Sequence, residues 1–127
     1  MSGTHTTPEN IEKLRPDEVF VFGSNLAGNH AGGAAKQAHD QFGAVMGVGE
    51  GLTGQCYAFP TLNADMSKID LYTLCSITDA FYRCVNAHPD RTFLLTKVGC
   101  GIAGYSEDAM KNLLAPSRPN LVKPEGW

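Results

Sequence analysis

Apolar residues along this chain follow two kinds of pattern. Three short runs, Glu18–Phe22, Cys56–Phe59 and Thr92–Val98, are rich in aromatic or β-branched residues, which predicts buried strands. We expect the second strand to end at Pro60. Between the second and third strands, apolar residues recur every three or four positions, and this spacing predicts a long helix that ends at Ala87. Its apolar positions are Leu71, Leu74, Cys75, Thr78, Phe81, Tyr82 and Val85.

Two shorter helices are predicted on either side of the long one. The first spans Ala34–Phe42 and ends at Gly43, because glycine readily adopts the left-handed conformation at a helix C-terminus. The second begins after Ser106, a favourable N-cap, and continues to Leu114. We expect the segment Ser67–Asp70 to cap the long helix. The predicted apolar face of the first helix consists of Ala35, Ala38 and Phe42.

The alternation of strands and helices predicts an α/β fold, in which helices cover both faces of a mixed, mainly parallel sheet. A chain of 127 residues is long enough for one domain and too short for two, so we expect a single domain over residues 1–127. The polar residues 1–10 are expected to be flexible. Residues 116–127 contain three prolines and are expected to form an extended tail over the surface. Five glycines within residues 43–54 leave that stretch without a predicted element.

Composition excludes several classes of function. The net charge is -3 and only 18% of residues are charged, whereas nucleic-acid-binding domains usually carry a basic patch. No apolar run approaches the length of a membrane helix, and the first 14 residues lack the features of an export signal, so we expect a cytoplasmic protein. The histidines lack metal-ligand spacing, and the four cysteines are expected to be reduced. The sequence does not indicate an oligomeric state.

Two glycine-rich segments lie between a predicted strand and a predicted helix. The first begins at Gly23 and ends at Gly32-Gly33-Ala34, and the second spans Gly99–Gly104. Glycine lets a backbone approach a ligand closely, and the first amides of a helix are free to bind a phosphate. The second segment also fits the dinucleotide pattern G-x-G-x-x-G, but no acidic residue follows at the spacing that a ribose partner requires. Each segment alone is also compatible with a simple tight turn.

These segments resemble the two ligand loops of macrodomains. Phe22-Gly-Ser-Asn-Leu with Gly32-Gly-Ala-Ala is similar to the first loop, and Lys97-Val-Gly-Cys-Gly-Ile is similar to the second. The chain also resembles short bacterial and phage proteins of unassigned function with the signatures G-S-N-L-A-G, Y-A-x-P-T and G-C-G-x-A-G-Y. That closer similarity spans Val19–Tyr105.

The resemblance implies a three-layer α/β/α fold with a cleft for ADP-ribose or a related NAD-derived nucleotide, which the protein would read or trap without a cofactor. Asn25 would face the distal ribose, the amides of Gly32 to Ala34 would hold the diphosphate, and Tyr105 would flank the distal ribose. The family's acidic adenine partner has no clear equivalent, and Asp17 is the nearest acid. The expected ligand-binding residues are Gly23, Ser24, Asn25, Leu26, Gly32, Gly33, Ala34, Gly99, Cys100, Gly101, Ile102, Ala103, Gly104 and Tyr105.

Two alternatives to nucleotide binding remain open. The first is an ADP-ribosyl or phosphoester hydrolase that positions its substrate and a water through Asn25. In one macrodomain branch a lysine and an aspartate are catalytic, but here Ala103 stands at the aspartate position and no lysine stands near Leu62. Cys100 is either a nucleophile at a strand end or a small residue packed under its loop, and His30 could contact a ligand. The second alternative is a protein–protein interaction module.

Overall fold

The computed structural model describes residues 6–101 and 103–127, and these form an α/β fold with six strands and three helices. The strands are β1 Thr6–Thr7, β2 Glu18–Asn25, β3 Gly51–Thr53, β4 Cys56–Leu62, β5 Thr92–Leu95 and β6 Leu121–Pro124. The helices are α1 Gly33–Phe42, α2 Leu71–Ala87 and α3 Glu107–Leu113. Ile102 and residues 1–5 lie outside the described residues.

The six strands form one mixed sheet in the order β1-β6-β5-β2-β4-β3. Every neighbouring pair is parallel except β3 with β4, which is antiparallel. The carboxyl ends of β5, β2 and β4 are therefore adjacent at one edge of the sheet. Ligands of open α/β sheets usually bind at this edge.

Helices cover both faces of the sheet, which gives three layers. On β2, Val19 and Val21 belong to the core under α2 and α3, whereas Phe20 and Phe22 belong to the core under α1. This division follows from the strand geometry, because successive side chains point to opposite faces. The phenylalanines within the three predicted strands and on the apolar face of the long helix are all buried, namely Phe20, Phe22, Phe59, Phe81 and Phe93.

The strands differ in length from the sequence prediction. β2 continues through Gly23 to Asn25, and β4 continues through Pro60 to Leu62, whereas β5 already ends at Leu95. Pro60 lies two residues beyond Ala58, the last β4 residue that pairs with β3, and proline is tolerated where no neighbouring strand needs its N–H. The predicted loop after Gly23 therefore begins later, and its first three residues are held in the sheet.

The long helix begins at Leu71, and its N-cap is Asp70 rather than Ser67, because the Asp70 carboxylate accepts the Thr73 amide at 2.8 Å. Two residues assigned to its apolar face, Leu71 and Cys75, are exposed, and Ile77 is buried instead. For α1 the predicted buried face is confirmed, as is its end at Gly43, which has a φ of 86°. The N-cap role of Ser106 is confirmed by its bond to the Ala109 amide.

The segment 116–127 differs most from expectation. Rather than lying over the surface, it contributes β6, which pairs with both β5 and β1, and Leu121 is buried. Asn120, just before β6, donates from Nδ2 to the carbonyls of Val85 and His88, each at 2.9 Å, which ties the strand to the end of α2. Of the segment predicted to be flexible, Thr6–Thr7 forms the edge strand β1.

Two further observations concern membrane-spanning helices and the cysteines. Within residues 6–101 and 103–127, no helix combines the length and apolar character needed to cross a bilayer. The four cysteines are free thiols, of which Cys56 is buried, Cys84 and Cys100 are half-buried and Cys75 is exposed. The apolar stretches around Cys75, Cys84 and Cys100 predict buried thiols, and this prediction is wrong for Cys75, which lies on the exposed face of α2.

Candidate functional site

A cleft of about 470 Å³ lies at the carboxyl ends of β5, β2 and β4. Both glycine-rich segments contribute to it, although they are about 70 residues apart in the sequence. They meet because β2 and β5 are parallel neighbours, so the segments that follow them leave the sheet side by side. The expected ligand-binding residues that line this cleft are Gly23, Ser24, Asn25, Gly32, Gly33, Ala34, Gly99, Gly101 and Ala103.

The first turn of α1 forms one wall of the cleft. Its N-cap is Gly32, which has extended backbone and no side chain to accept a bond from the helix. The first i→i−4 backbone hydrogen bond of the helix is donated by the Lys36 amide to the Gly32 carbonyl. The amides of Gly33 to Ala35 therefore have no intrahelical acceptor. These amides and the positive end of the helix dipole face a cleft, an arrangement that favours an anion.

The first loop is fixed by its own polar groups. Asn25 is buried; its Nδ2 donates to the Asn29 carbonyl at 2.9 Å, and its Oδ1 accepts the Asn29 amide at 3.0 Å. The Ser24 hydroxyl donates to the Gly49 carbonyl. Asn25 thus uses one amide hydrogen and one lone pair to shape the loop, which leaves one of each for a ligand.

The second loop turns sharply at Gly99, which has a φ of 80°. A backbone bond from the Tyr105 amide to the Gly99 carbonyl, 2.8 Å long, closes the loop. A Cβ added to Gly23 would lie 3.6 Å from the Gly99 nitrogen, so the end of β2 passes close beneath this turn. The two glycine-rich segments therefore lie next to each other in the lining of the cleft.

Lys97 is the sole ionisable residue among those described that line the cleft. Its Nζ lies 3.3 Å from Glu107 Oε1 at the start of α3, and Trp127 Nε1 donates to the same oxygen at 3.3 Å. The Trp127 and Lys97 hydrogen bonds hold the pKa of Glu107 below its usual range. The carboxylate stays charged, and it keeps the Lys97 ammonium at the rim of the cleft.

A second pocket of about 560 Å³ adjoins the cleft along the same edge of the sheet. Thr96 and Lys97 line both. The second pocket also contains two carboxylates, Glu9 after β1 and Glu125 after β6. Asp17 is at the opposite end of the sheet, where its carbonyl accepts the amide of Thr92 at the start of β5, so it does not belong to either pocket.

Four expected ligand-binding residues lie outside the lining of the cleft, and Ile102 lies outside the described residues. Leu26 is exposed on the loop, and Gly104 is exposed beyond the second turn. Tyr105 is buried against the core, with Lys68 Nζ 4.2 Å from its ring centroid. Cys100 is half-buried and its Sγ contacts the Val98 carbonyl at 3.6 Å. Tyr105 and Cys100 pack against the core rather than face the cleft, whereas Leu26 and Gly104 are exposed to solvent outside it.

Neither Cys100 nor His30 has the properties of a reactive group. Burial and the nearby Glu107 carboxylate raise the pKa of the Cys100 thiol, so the thiol stays protonated at neutral pH. His30 is 1% exposed, with Nε2 3.1 Å from the Val45 carbonyl and its ring packed edge-on against Phe22. The sequence suggested a ligand contact for His30, but the fold places it in the core beneath the first loop.

Nine residues that line the cleft were not among the expected ligand-binding residues. Thr61 and Leu62 belong to the part of β4 beyond Pro60, where the strand was predicted to end. Met66 lies in the turn after β4, and no local pattern marks it as a site residue. The strand order alone brings that turn to the cleft. The nine are Asn29, Ala31, Ala35, Thr61, Leu62, Met66, Thr96, Lys97 and Val98.

The described residues contain no cluster of three or more His, Cys, Asp or Glu side chains able to hold a metal ion. Comparison of the chain with models of protein families, with curated proteins and with solved structures finds no match.

Proposed function

We propose that the cleft binds ADP-ribose or a related NAD-derived nucleotide, and that the protein acts as a reader or trap of that nucleotide. One observation carries this proposal: two glycine-rich segments far apart in sequence line a single cleft with the free amides of α1. The resemblance of these segments to macrodomain loops supports the same ligand. A volume of about 470 Å³ is within the range of small-molecule sites.

The diphosphate is held at the start of α1. Amides of Gly33 to Ala35 donate to its oxygens, and Lys97 provides the one positive side chain among the described residues that line the cleft. Backbone donors suit this role because they are fixed by the helix and lose little entropy on binding. An acidic protein can in this way bind a dianion without a basic patch.

The nucleoside end of the ligand extends past Lys97 into the second pocket. Carboxylates accept hydrogen bonds from sugar hydroxyls and from the exocyclic amino group of adenine. Glu9 and Glu125 offer such acceptors there, and they fill the role for which the sequence offered only Asp17.

The lining of the cleft favours binding over hydrolysis. Among its described residues there is no Asp, Glu, His or Cys that could act as a base or nucleophile. Ala103 lines the cleft at the position of the catalytic aspartate of the lysine–aspartate macrodomains.

Gly32→Val tests the proposal, measured by calorimetric titration with ADP-ribose. Gly32 has a φ of -149°, and an added Cβ would meet no atom within 4 Å, so valine fits the fold without strain. Its branched side chain would occupy the space in front of the α1 amides. We expect affinity for ADP-ribose to fall more than about tenfold, a loss of at least about 1.4 kcal/mol, with only a small fall in the melting temperature, because valine is a poorer N-cap than glycine.

Gly51→Val is the matched control. Gly51, on the edge strand β3, also has open space around it and lies outside the cleft and the second pocket, and its φ of 102° makes valine more strained there than at Gly32. This variant should bind ADP-ribose as the unmodified protein does. The proposal fails if the unmodified protein does not bind ADP-ribose, or if Gly32→Val binds it with full affinity.

A further inference from the structure

Met66 has a backbone conformation that its residue type disfavours. Its φ is 70°, and it is the one non-glycine residue with positive φ among residues 6–101 and 103–127. A left-handed conformation costs a side-chain-bearing residue about 1–2 kcal/mol. Its side chain is 48% exposed and lines the cleft, so burial of an apolar group offsets little of that cost.

A network of hydrogen bonds fixes the turn in this conformation. The Met66 amide donates to the Asn63 carbonyl at 2.9 Å, and the Asn63 amide donates to the Ser67 carbonyl at 2.7 Å. One oxygen of Asp65 accepts both the amide and the hydroxyl of Ser67. The turn is thus rigid, and it holds an apolar side chain over a cleft. Strain of this kind often accompanies a functional site.

The order of strand ends defines which part of a ligand reaches Met66. Along the edge of the sheet the second pocket comes first, then Lys97 after β5, then the α1 amides that follow β2, and finally the turn after β4. A linear ligand with its diphosphate at α1 and its nucleoside in the second pocket therefore directs its other end toward Met66. In ADP-ribose that end is the terminal ribose.

We propose that Met66 determines ligand specificity, by packing on the carbon face of a sugar attached beyond the diphosphate. This inference rests on the proposed function and adds to it a means of distinguishing ADP-ribose from ADP. A thioether is flexible and polarisable, so it adapts to the carbon face of a pentose. Leu62, buried beside it in the cleft lining, extends the apolar surface.

The test is Met66→Gly, with ADP-ribose and ADP titrated separately by calorimetry. Glycine adopts a φ of 70° without strain, so the fold should be retained, with a melting temperature at or above that of the unmodified protein. We expect affinity for ADP-ribose to fall about five- to tenfold, the value of one or two buried methylene contacts, while affinity for ADP is unchanged. Met66→Leu, which keeps an apolar side chain on the same turn, should restore most of the preference.

The outcomes separate the two proposals. Binding of neither nucleotide by the unmodified protein overturns the proposed function, and the role of Met66 with it. Both nucleotides could bind to the unmodified protein while Met66→Gly lowers the two affinities equally or leaves both unchanged. In that case the cleft assignment stands and the proposed role of Met66 in specificity is wrong. A lowered melting temperature with equal loss of both affinities would identify Met66 as a structural residue of the turn.

Discussion

At the scale of single residues, glycine in this protein serves close packing as well as turns. Gly28 and Gly49 lie where the first loop meets residues 45–50, and an added Cβ at Gly28 would lie 2.3 Å from the carbonyl carbon of Gly47. At Gly49 it would lie 2.3 Å from the Asn25 carbonyl oxygen. Backbone therefore packs directly on backbone beneath the cleft. A contact of that kind cannot be relieved by rotating a side chain.

Gly49→Ala should destabilise the protein, because the added methyl forces apart the loop and the segment beneath it. We expect a loss of about 2 kcal/mol in the free energy of unfolding, measured by urea denaturation. Gly101→Ala is the control, since an added Cβ there meets no atom within 4 Å and its backbone is not left-handed. Equal stability of the two variants would contradict the close packing at Gly49.

At the scale of elements, the three helices begin in different ways. α2 and α3 are capped by the side chains of Asp70 and Ser106, whereas α1 begins at Gly32 without a side-chain cap. The capped helices have a structural partner for their first amides. The first amides of α1 have none within the helix, and of the three helices in the described residues only α1 begins at the cleft.

Asp70→Asn should make the stability of the protein less dependent on acid pH. Hydrogen bonds from the Thr73 amide and hydroxyl lower the pKa of Asp70 below the 3.8 of an unperturbed aspartate. A lowered pKa means that the carboxylate stabilises the folded state above pH 3.8, and that this contribution is lost as the pH falls through the lower folded-state pKa. Asparagine can still cap α2 but does not titrate.

The measurement is the melting temperature of both proteins between pH 7 and pH 2. The unmodified protein should be the more stable at neutral pH, and the difference should close on acidification. A difference that stays constant over this range would show that the charge of Asp70 does not contribute to the cap.

At the scale of the whole molecule, the sheet depends on its last strand. β6 lies between β1 and β5, and the Phe93 amide donates to the Asn120 carbonyl at 2.8 Å. Asn120 also ties this strand to the end of α2. The second pocket is lined from both β1 and the residues after β6, so the strand also positions part of the site.

Deleting residues 118–127 should therefore abolish cooperative unfolding. The deletion exposes one edge of β5, removes the partner of β1 and uncovers the core beside Leu121. The cooperativity of unfolding would be measured by thermal denaturation, monitored by circular dichroism. Deleting only residues 125–127, which lie beyond the strand, should leave a cooperative transition. A chain that still melts cooperatively without 118–127 would show that β6 is dispensable.

Elements whose signal is local can be predicted from the amino-acid sequence alone. The apolar runs at Glu18 and Cys56, the helical spacing before Ala87 and the glycine at the end of α1 each depend on neighbouring residues. The same is true of the two glycine-rich segments as candidate loops. Such features are readable because side-chain periodicity and glycine conformation act over a few positions.

The pairing of the strands, and with it the composition of the cleft, depends on contacts between distant parts of the chain. The short strands β3 and β6 acquire their form from neighbouring strands, because a few residues have no stable strand conformation without partners. Strand order brought Met66, Lys97 and the two loops to one edge, and it placed Asp17 at the other. The fold also buries His30 and Tyr105. Burial depends on the residues that pack against a side chain in three dimensions rather than on its neighbours in the sequence.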